Sequence, residues 1–280
     1  MMIVNELMNR SIEYIIQNLD EEISIEDVAN HCYFSKYYFS RVFKSEIGES
    51  VYAFIKRFKM DQSAIRLKLE KGKSITDIGV EYGYSLSNYS TAFKKHYHIS
   101  PERYRKHTND LYVRHPYDIN KLARFQSFEE YDEQILIGEL DDFTVICERH
   151  IGNYTKLGEN WQSFIEIHNK YFKEDTLLLE RFFDDPTITN VDKCLYDICM
   201  TVDKNCPLEN LTTISGGKFA FYRFDGLVKD IFTAFQGVFA IWLPHSGYEM
   251  GKGYGLDIYH AIDREKMHVV IDLCIPIIKK

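Results

Sequence analysis

Ile25-Glu-Asp-Val-Ala-Asn-His-Cys-Tyr-Phe-Ser-Lys-Tyr-Tyr-Phe-Ser-Arg-Val-Phe-Lys44 is echoed fifty residues on by Ile75-Thr-Asp-Ile-Gly-Val-Glu-Tyr-Gly-Tyr-Ser-Leu-Ser-Asn-Tyr-Ser-Thr-Ala-Phe-Lys94. Each copy reads as a short amphipathic helix, a tight polar turn and an aromatic-rich helix ending in Phe-Lys. Two helices joined in this way form a helix-turn-helix, whose second helix enters the major groove of DNA. In the first copy Ser24 is placed to cap a helix, with Asp27 three residues on, and Ser35 to cap the next. Phe39, Val42 and Phe43 recur at i, i+3 and i+4 and pack inward. Lys36, Tyr37, Ser40, Arg41 and Lys44 then face outward, and Gly48 supplies a left-handed stop. In the second copy Ser74 is the cap and Gly83 makes the turn. Tyr89, Phe93 and Tyr97 form the packing stripe, which leaves Ser87, Asn88, Ser90, Thr91 and Lys94 on or near the other face.

Working outward, residues 5–18 carry a helical apolar stripe (Leu7, Ile12, Ile15, Ile16), and residues 51–70 form a long helix between the copies. Ser100-Pro101-Glu102 opens a last helix with proline at its first position. Residues 1–108 are therefore expected as an all-α domain. The 280-residue length fits about two domains. Net charge is −8, which suits a DNA reader badly until the chain is divided. Residues 1–108 hold 16 Lys and Arg against 14 Asp and Glu, and the remainder holds 18 against 28, so the acid is concentrated behind the first domain. No apolar run is long enough for a membrane span, and the N-terminus does not read as a signal peptide. A cytoplasmic chain with no membrane partner is expected. The six cysteines include no C-x-x-C pair, so reduced, mostly buried thiols are expected, with no metal site and no cofactor.

Residues 109–132 are polar and mixed and read as a linker. From 133 the pattern turns to strands, at 135–140, 143–149, 195–202, 218–224, 256–260 and 268–278, with helices at 154–171 and 227–243. This half is also duplicated. Arg149-His-Ile-Gly152 is echoed by Arg223-Phe-Asp-Gly226, and Asp197-Ile-Cys199 by Asp272-Leu-Cys274. Two copies of an α+β unit paired about a pseudo-twofold axis leave a groove between them, where ligand sites favour such repeat interfaces.

The front of the chain resembles the DNA-binding domain of AraC-type transcription regulators. The residues that carry this are Ser35 to Lys44 with Gly48, Lys56, Arg57 and Ala64, Ile78 to Gly83, and Phe93-Lys94 with Ile99-Ser-Pro-Glu-Arg-Tyr-Arg105. The resemblance implies seven helices, with two recognition helices about 34 Å apart in successive major-groove segments of double-stranded DNA. On this chain it makes Arg41 the candidate for bidentate contact with guanine and Lys44 a phosphate contact, and it offers Asn88 to adenine. The second copy departs from the family pattern. Its turn Tyr84–Asn88 looks one residue short, Thr91 stands where arginine is common, and His98 stands where glycine is usual. Shape and phosphate contacts are expected of it more than base selection.

Residues 133–278 resemble GyrI-like effector-binding domains. The match lies in Arg149-His150, Gly152, Tyr154, Trp161, Asp185-Pro186, Tyr196-Asp197, Gly216-Gly217-Lys218, Trp242-Leu-Pro-x-Ser-Gly-Tyr248 and Gly255-Leu-Asp-Ile-Tyr259. The resemblance implies a duplicated α+β domain over 133–280 with an aromatic groove that takes small molecules, often lipophilic cations, around an acid. Here that acid is Asp257, with Tyr154, Trp161, Phe221, Trp242 and Tyr259 as wall candidates; Asp257 and Tyr259, two apart on a strand, face the same side. The expectation is a transcription regulator, not an enzyme, whose second half senses a small cationic effector. Two alternatives stay open: a second half that only docks a protein such as RNA polymerase, and a fused hydrolase using an acid and a tyrosine.

Overall fold

The structure is a computed structural model. It describes residues 1–85, 87–107, 112–115, 118–208, 211–251 and 253–280, with the backbone alone at 112–115 and 118–124. The chain divides into two compact units, Ile3–Asn109 and a second formed by Met1–Met2 with Asp110–Lys280.

Among the described residues the first unit holds seven helices: α1 (Glu6–Gln17), α2 (Ile25–His31), α3 (Lys36–Ile47), α4 (Val51–Leu69), α5 (Ile75–Glu81), α6 (Tyr89–Tyr97) and α7 (Pro101–His107). Hydroxyl caps set their starts. Ser24 and Asp27 close a capping box on α2, and Ser35, Ser50 and Ser74 accept from backbone N–H groups at the starts of α3, α4 and α5. The two helix-turn-helix copies open alike. The Phe34 amide donates to Ala29 O at 3.0 Å, and the Tyr84 amide to Gly79 O at the same distance. Their second helices begin at different points: α3 starts at Lys36, five residues after the end of α2 at His31, and α6 at Tyr89, eight residues after the end of α5 at Glu81. α3 and α6 both stop on a left-handed residue, Gly48 at φ 83° and His98 at φ 61°. Phe39, Phe43, Tyr89 and Phe93 are buried, as their spacing requires.

The long α4 is the internal rod of this unit, and polar groups are buried along it. Asp61, 1% exposed, accepts from the Tyr97 hydroxyl at 2.6 Å and pairs with Arg57 at 3.4 Å. Arg57 also reaches Glu49 at 2.9 Å, and the Tyr89 hydroxyl donates to Ser63 Oγ at 3.0 Å. These bonds tie α6 to α4 in one register. A buried carboxylate such as Asp61 is tolerated because it is satisfied on several sides.

Thr108–Leu111, Pro116 and Tyr117, within or next to the expected linker, lie outside the described residues. Apart from residues 125–127, the described remainder of that segment lies in regular elements. β1 (Tyr112–His115) and β2 (Asp118–Arg124) pair antiparallel, and α8 (Phe128–Gln134) begins on a Ser127–Glu130 capping box. α8 forms because Tyr131 buries its ring against Tyr222, at 5.6 Å between centroids.

The second unit is built on one antiparallel sheet of nine strands among the described residues. They are β3 (Ile135–Leu140), β4 (Phe143–Ile151), β5 (Leu178–Phe182), β6 (Leu195–Thr201), β7 (Thr212–Ile214), β8 (Gly217–Leu227), β9 (Tyr248–Met250), β10 (Gly255–Asp263) and β11 (His268–Lys279). Strand order is β3-β8-β11-β10-β5-β6-β4-β7, with β9 on β11. The order is a palindrome about the β10–β5 pair. β4 matches β8, β6 matches β11 and β5 matches β10, while β3 of the first copy pairs with β8 of the second and β7 returns the exchange on β4. The expected duplication is therefore present, with edge strands swapped between copies. α9 (Leu157–His168) and α10 (Val228–Gly237), the latter continued by a π-turn at Val238–Trp242 and a short turn at Leu243–His245, belong to the matching halves.

The echoed Arg and Asp residues are cross-strand partners. Arg149 lies opposite Asp197 and Arg223 opposite Asp272. The first bridge is buried and bidentate, with Nε and Nη2 at 2.7 and 2.8 Å from the carboxylate, and the second is largely exposed on its arginine. The cysteine expectation is corrected at one pair. Cys147 and Cys199 are directly opposed on β4 and β6 and form a disulfide, while Cys32, Cys194, Cys206 and Cys274 are not disulfide-bonded. The 52-residue separation carries no motif, and only strand register brings the two together.

Left-handed φ favours glycine. His98→Gly is expected to raise the stability of the chain, and Gly48→Ala to lower it, each by about 0.5–1 kcal/mol. Urea midpoints of the two variants moving in the same direction would contradict this.

Candidate functional site

The outward residues of α3 stand where the sequence placed them. Lys36, Tyr37, Arg41 and Lys44 are exposed and Ser40 is half-buried. The Arg41 guanidinium lies over the Tyr38 ring at 5.7 Å, which orients it without consuming its donors, and among the described residues it has no carboxylate partner. Lys36 approaches Glu26 at 3.9 Å, an exposed pair of little energetic weight. Two residues escaped notice. Tyr33, 86% exposed, and Phe34 bring aromatic surface to the turn beside α3, and Arg10 stacks on Tyr33 at 5.7 Å. Aromatic residues in a turn expected to be polar were the available signal.

The second copy differs in shape. α6 starts at Tyr89, so Ser87 and Asn88 lie in the turn that precedes it rather than on the helix, and the Asn88 side chain makes no capping bond. Ser90, Thr91 and Lys94 are exposed on α6. The position matching Arg41 is Thr91, so this face offers hydroxyls and an amide where the first offers a guanidinium.

In the second unit, register decides which candidates meet. Directly paired residues of neighbouring strands point to one face, and alternate residues along a strand share it. Asp257 lies opposite Glu180 on β5, and Tyr259 opposite Leu178. Trp161 and Phe164 of α9 pack on Ile146, Ile198 and Met200 of this face, and Trp161 reaches Tyr259 edge-on at 5.4 Å. Phe235 of α10 packs on Phe224, and Phe239 meets Phe182 from the other copy. The β5–β10 pair lies between the two helix-covered halves. A side chain at Gly255 would place Cβ 1.9 Å from the Phe182 ring, so glycine there is what lets that ring lie across the strand pair.

Asp257, Tyr259 and Trp161 are thus brought together. Tyr154 is adjacent through a stack on Tyr196, at 4.7 Å, which continues to His150 at 5.3 Å. Burial lowers the His150 imidazole to about 4, so this stack is neutral near pH 7. Two candidates are not brought in. Phe221 pairs with Cys274, which pairs with Leu256, so it lies on the opposite face of the sheet from Asp257. Trp242 is buried, donates to Asp132 Oδ1 at 2.8 Å and stacks on Tyr248, so it anchors the π-turn.

The site also holds a residue that sequence reading missed. Glu180 is 3% exposed and accepts the Tyr259 hydroxyl at 2.9 Å. It is the duplicate of Asp257, seventy-seven residues earlier, so the pseudo-twofold axis sets an acid beside its own copy. Strand β5 escaped because Leu177-Leu-Leu-Glu-Arg-Phe-Phe183 is apolar on both faces and does not alternate. Leu179-Glu180 as an echo of Leu256-Asp257 was the signal available.

Burial raises both carboxyls, Glu180 to about 7, and proximity to Glu180 raises Asp257 further. The opposite holds for Asp197 on the other face. Burial would raise it too, yet Arg149 and Arg181 hold it below its ordinary value. Asp257 Oδ1 and Trp161 Nε1 are buried without hydrogen-bond partners. The indole lies against the Glu180–Tyr259 pair without closing a bond to it. Among the described residues no cluster of three or more His, Cys, Asp or Glu is arranged to hold a metal, and no helix is long and apolar enough to cross a membrane.

Residues 133–278 match the GyrI-like small molecule binding domain, and residues 9–107 match a helix-turn-helix domain. The chain is 35% identical over 104 residues to the regulatory protein PocR of Salmonella typhimurium, a match covering 37% of this chain and 34% of PocR. It is 32% identical over 95 residues to the multiple antibiotic resistance protein MarA of the same organism, covering 34% of this chain and 74% of MarA. The right origin-binding protein of Escherichia coli aligns over 293 positions at 22% identity, covering 93% of this chain and 94% of that one. The chain spans about a third of the length of PocR.

A carboxyl whose folded pKa is raised contributes stability that is present below its unfolded value and lost as pH rises through the folded value. For Glu180 that window runs from the ordinary carboxyl range to about 7. The urea midpoint of the chain should fall as pH is raised across this window, and the fall should be shallower in Glu180→Gln. Parallel curves for the two proteins would rule out the buried acid as the cause.

Proposed function

The chain belongs to the GyrI-like small-molecule-binding family and carries an AraC-type helix-turn-helix domain, and on that premise we propose a cytoplasmic DNA-binding transcription regulator whose second unit senses a lipophilic cation. The observation that carries the effector class is Asp257. It is a buried acid with no basic partner among the described residues, beside a second acid and the rings of Trp161 and Tyr259. Burial holds this acid pair toward its neutral form, and a delocalised cation entering beside it supplies the counter-charge that lets Asp257 ionise, with the rings adding cation–π attraction of about 0.5–2 kcal/mol. Tyr154 and Tyr196 extend the aromatic wall.

On the DNA side, α3 is the base reader. Arg41 makes bidentate contact with guanine in the major groove, Lys44 holds phosphate, and Tyr37 and Ser40 flank them. The turn before α6 and its first face contribute Ser87, Asn88, Ser90, Thr91 and Lys94, mostly as shape and backbone contacts. The effector acts by population shift. It changes DNA affinity only by as much as it prefers one conformation of the chain over another.

Thermal-shift screening with lipophilic cations should stabilise the wild-type chain and leave Asp257→Ala unmoved; a set of such cations that shifts neither protein removes the sensor. Arg41→Ala should weaken binding to selected DNA by about 1–3 kcal/mol and relax preference at one base pair. Unchanged discrimination among single-base variants of that site would reassign the reader.

A further inference from the structure

One sheet buries two aspartates and treats them in opposite ways. Asp197 receives two guanidinium groups, which together saturate its oxygens. Asp257, 7% exposed, keeps Oδ1 without a hydrogen-bond partner. Its cross-strand neighbour Glu180 is already engaged by the Tyr259 hydroxyl. Of the two acids on the pseudo-twofold axis, Glu180 is therefore occupied and Asp257 presents an open acceptor. The indole of Trp161 meets the ring of Tyr259, two residues along the strand from Asp257, and its Nε1–H is likewise buried and unmatched.

A buried carboxylate oxygen left without a donor carries its full desolvation penalty, and a charge-assisted hydrogen bond relieves it. Cations differ in whether they can supply one. A quaternary ammonium or phosphonium group brings charge behind a shell of carbon and has no N–H. A protonated amine or an amidinium brings the same charge with donors at its surface. Within the effector site proposed above, on which this rests, we infer that Asp257 selects cations that carry an N–H donor over quaternary cations of the same size. The short aspartate side chain strengthens this. Asp257 and Glu180 come from directly opposed backbone positions, so the acceptor sits close to the strand, where a small N–H group reaches it and a group with three alkyl arms does not.

The test needs no variant. The full chain is titrated calorimetrically with 2-naphthylmethylammonium and with its N,N,N-trimethyl counterpart at the same pH and salt. The ammonium form sheds more hydration on entry, so a preference for it reports the hydrogen bond directly. It should bind about tenfold or more tightly. The margin should collapse in Asp257→Leu, which keeps the bulk and removes the acceptor. Saturable binding of both cations with equal affinity, or tighter binding of the trimethyl form, overturns the selection while the cation reading stands. Absence of saturable binding for either overturns the selection and the cation reading together. A wild-type margin that survives intact in a folded Asp257→Leu protein also overturns it, because the donor's partner is then another group.

Discussion

The antiparallel pairing of β5 with β10 is the constraint on which the second unit rests. It joins the two copies of the duplicated half at their pseudo-twofold axis, and its register sets Asp257 directly opposite Glu180. Symmetry explains why two acids of like charge share so small a space. Each copy contributes its own residue at the equivalent position, and the axis brings them together. The exchange of β3 and β7 between the copies holds this pairing in place, because each copy completes its sheet with an edge strand from the other. Slippage by one residue would turn every side chain to the opposite face.

The same sheet separates two kinds of buried charge. On one face Asp197 is shared by the guanidinium groups of Arg149 and Arg181, with Phe183 and Tyr254 stacked on those groups. On the helix-covered face two acids meet rings, a hydroxyl and an indole, with no basic partner among the described residues. Without such a partner, burial holds the pair toward its neutral form, whereas the arginines hold Asp197 ionised.

In the first unit the rigid element is α4. Its buried Asp61 and Ser63 bond to Tyr97 and Tyr89, so α6 is positioned by specific polar contacts as well as by apolar packing. The two helix-turn-helix copies share the serine cap of their first helix and the backbone hydrogen bond that opens the turn, but neither the start of the second helix nor its outward chemistry. Arg41 and the exposed rings of Tyr33 and Tyr37 have no counterpart in the second copy, where Gly83, Ser87 and Thr91 occupy the matching positions. The duplication preserved the fold and left the two outward surfaces free to diverge.

The sequence by itself determined the elements whose signals are local. Helix caps, the inward stripes of α3 and α6 and the left-handed stop at Gly48 depend on residues within one turn of each other, and all are as read. The duplication of the second half was legible for the same reason, since a repeat is a property of the string. What only the tertiary structure decided depends on register. Phe221 and Asp257 both carry plausible site chemistry, yet a pairing through β11 sends them to opposite faces. Glu180 hides in a strand buried on both sides, where periodicity vanishes, and Cys147 meets Cys199 only because β4 and β6 align. Trp242 is spent on holding a π-turn. Each outcome is set by which distant strand lies alongside, and long-range pairing leaves no mark on the residues near it in the chain.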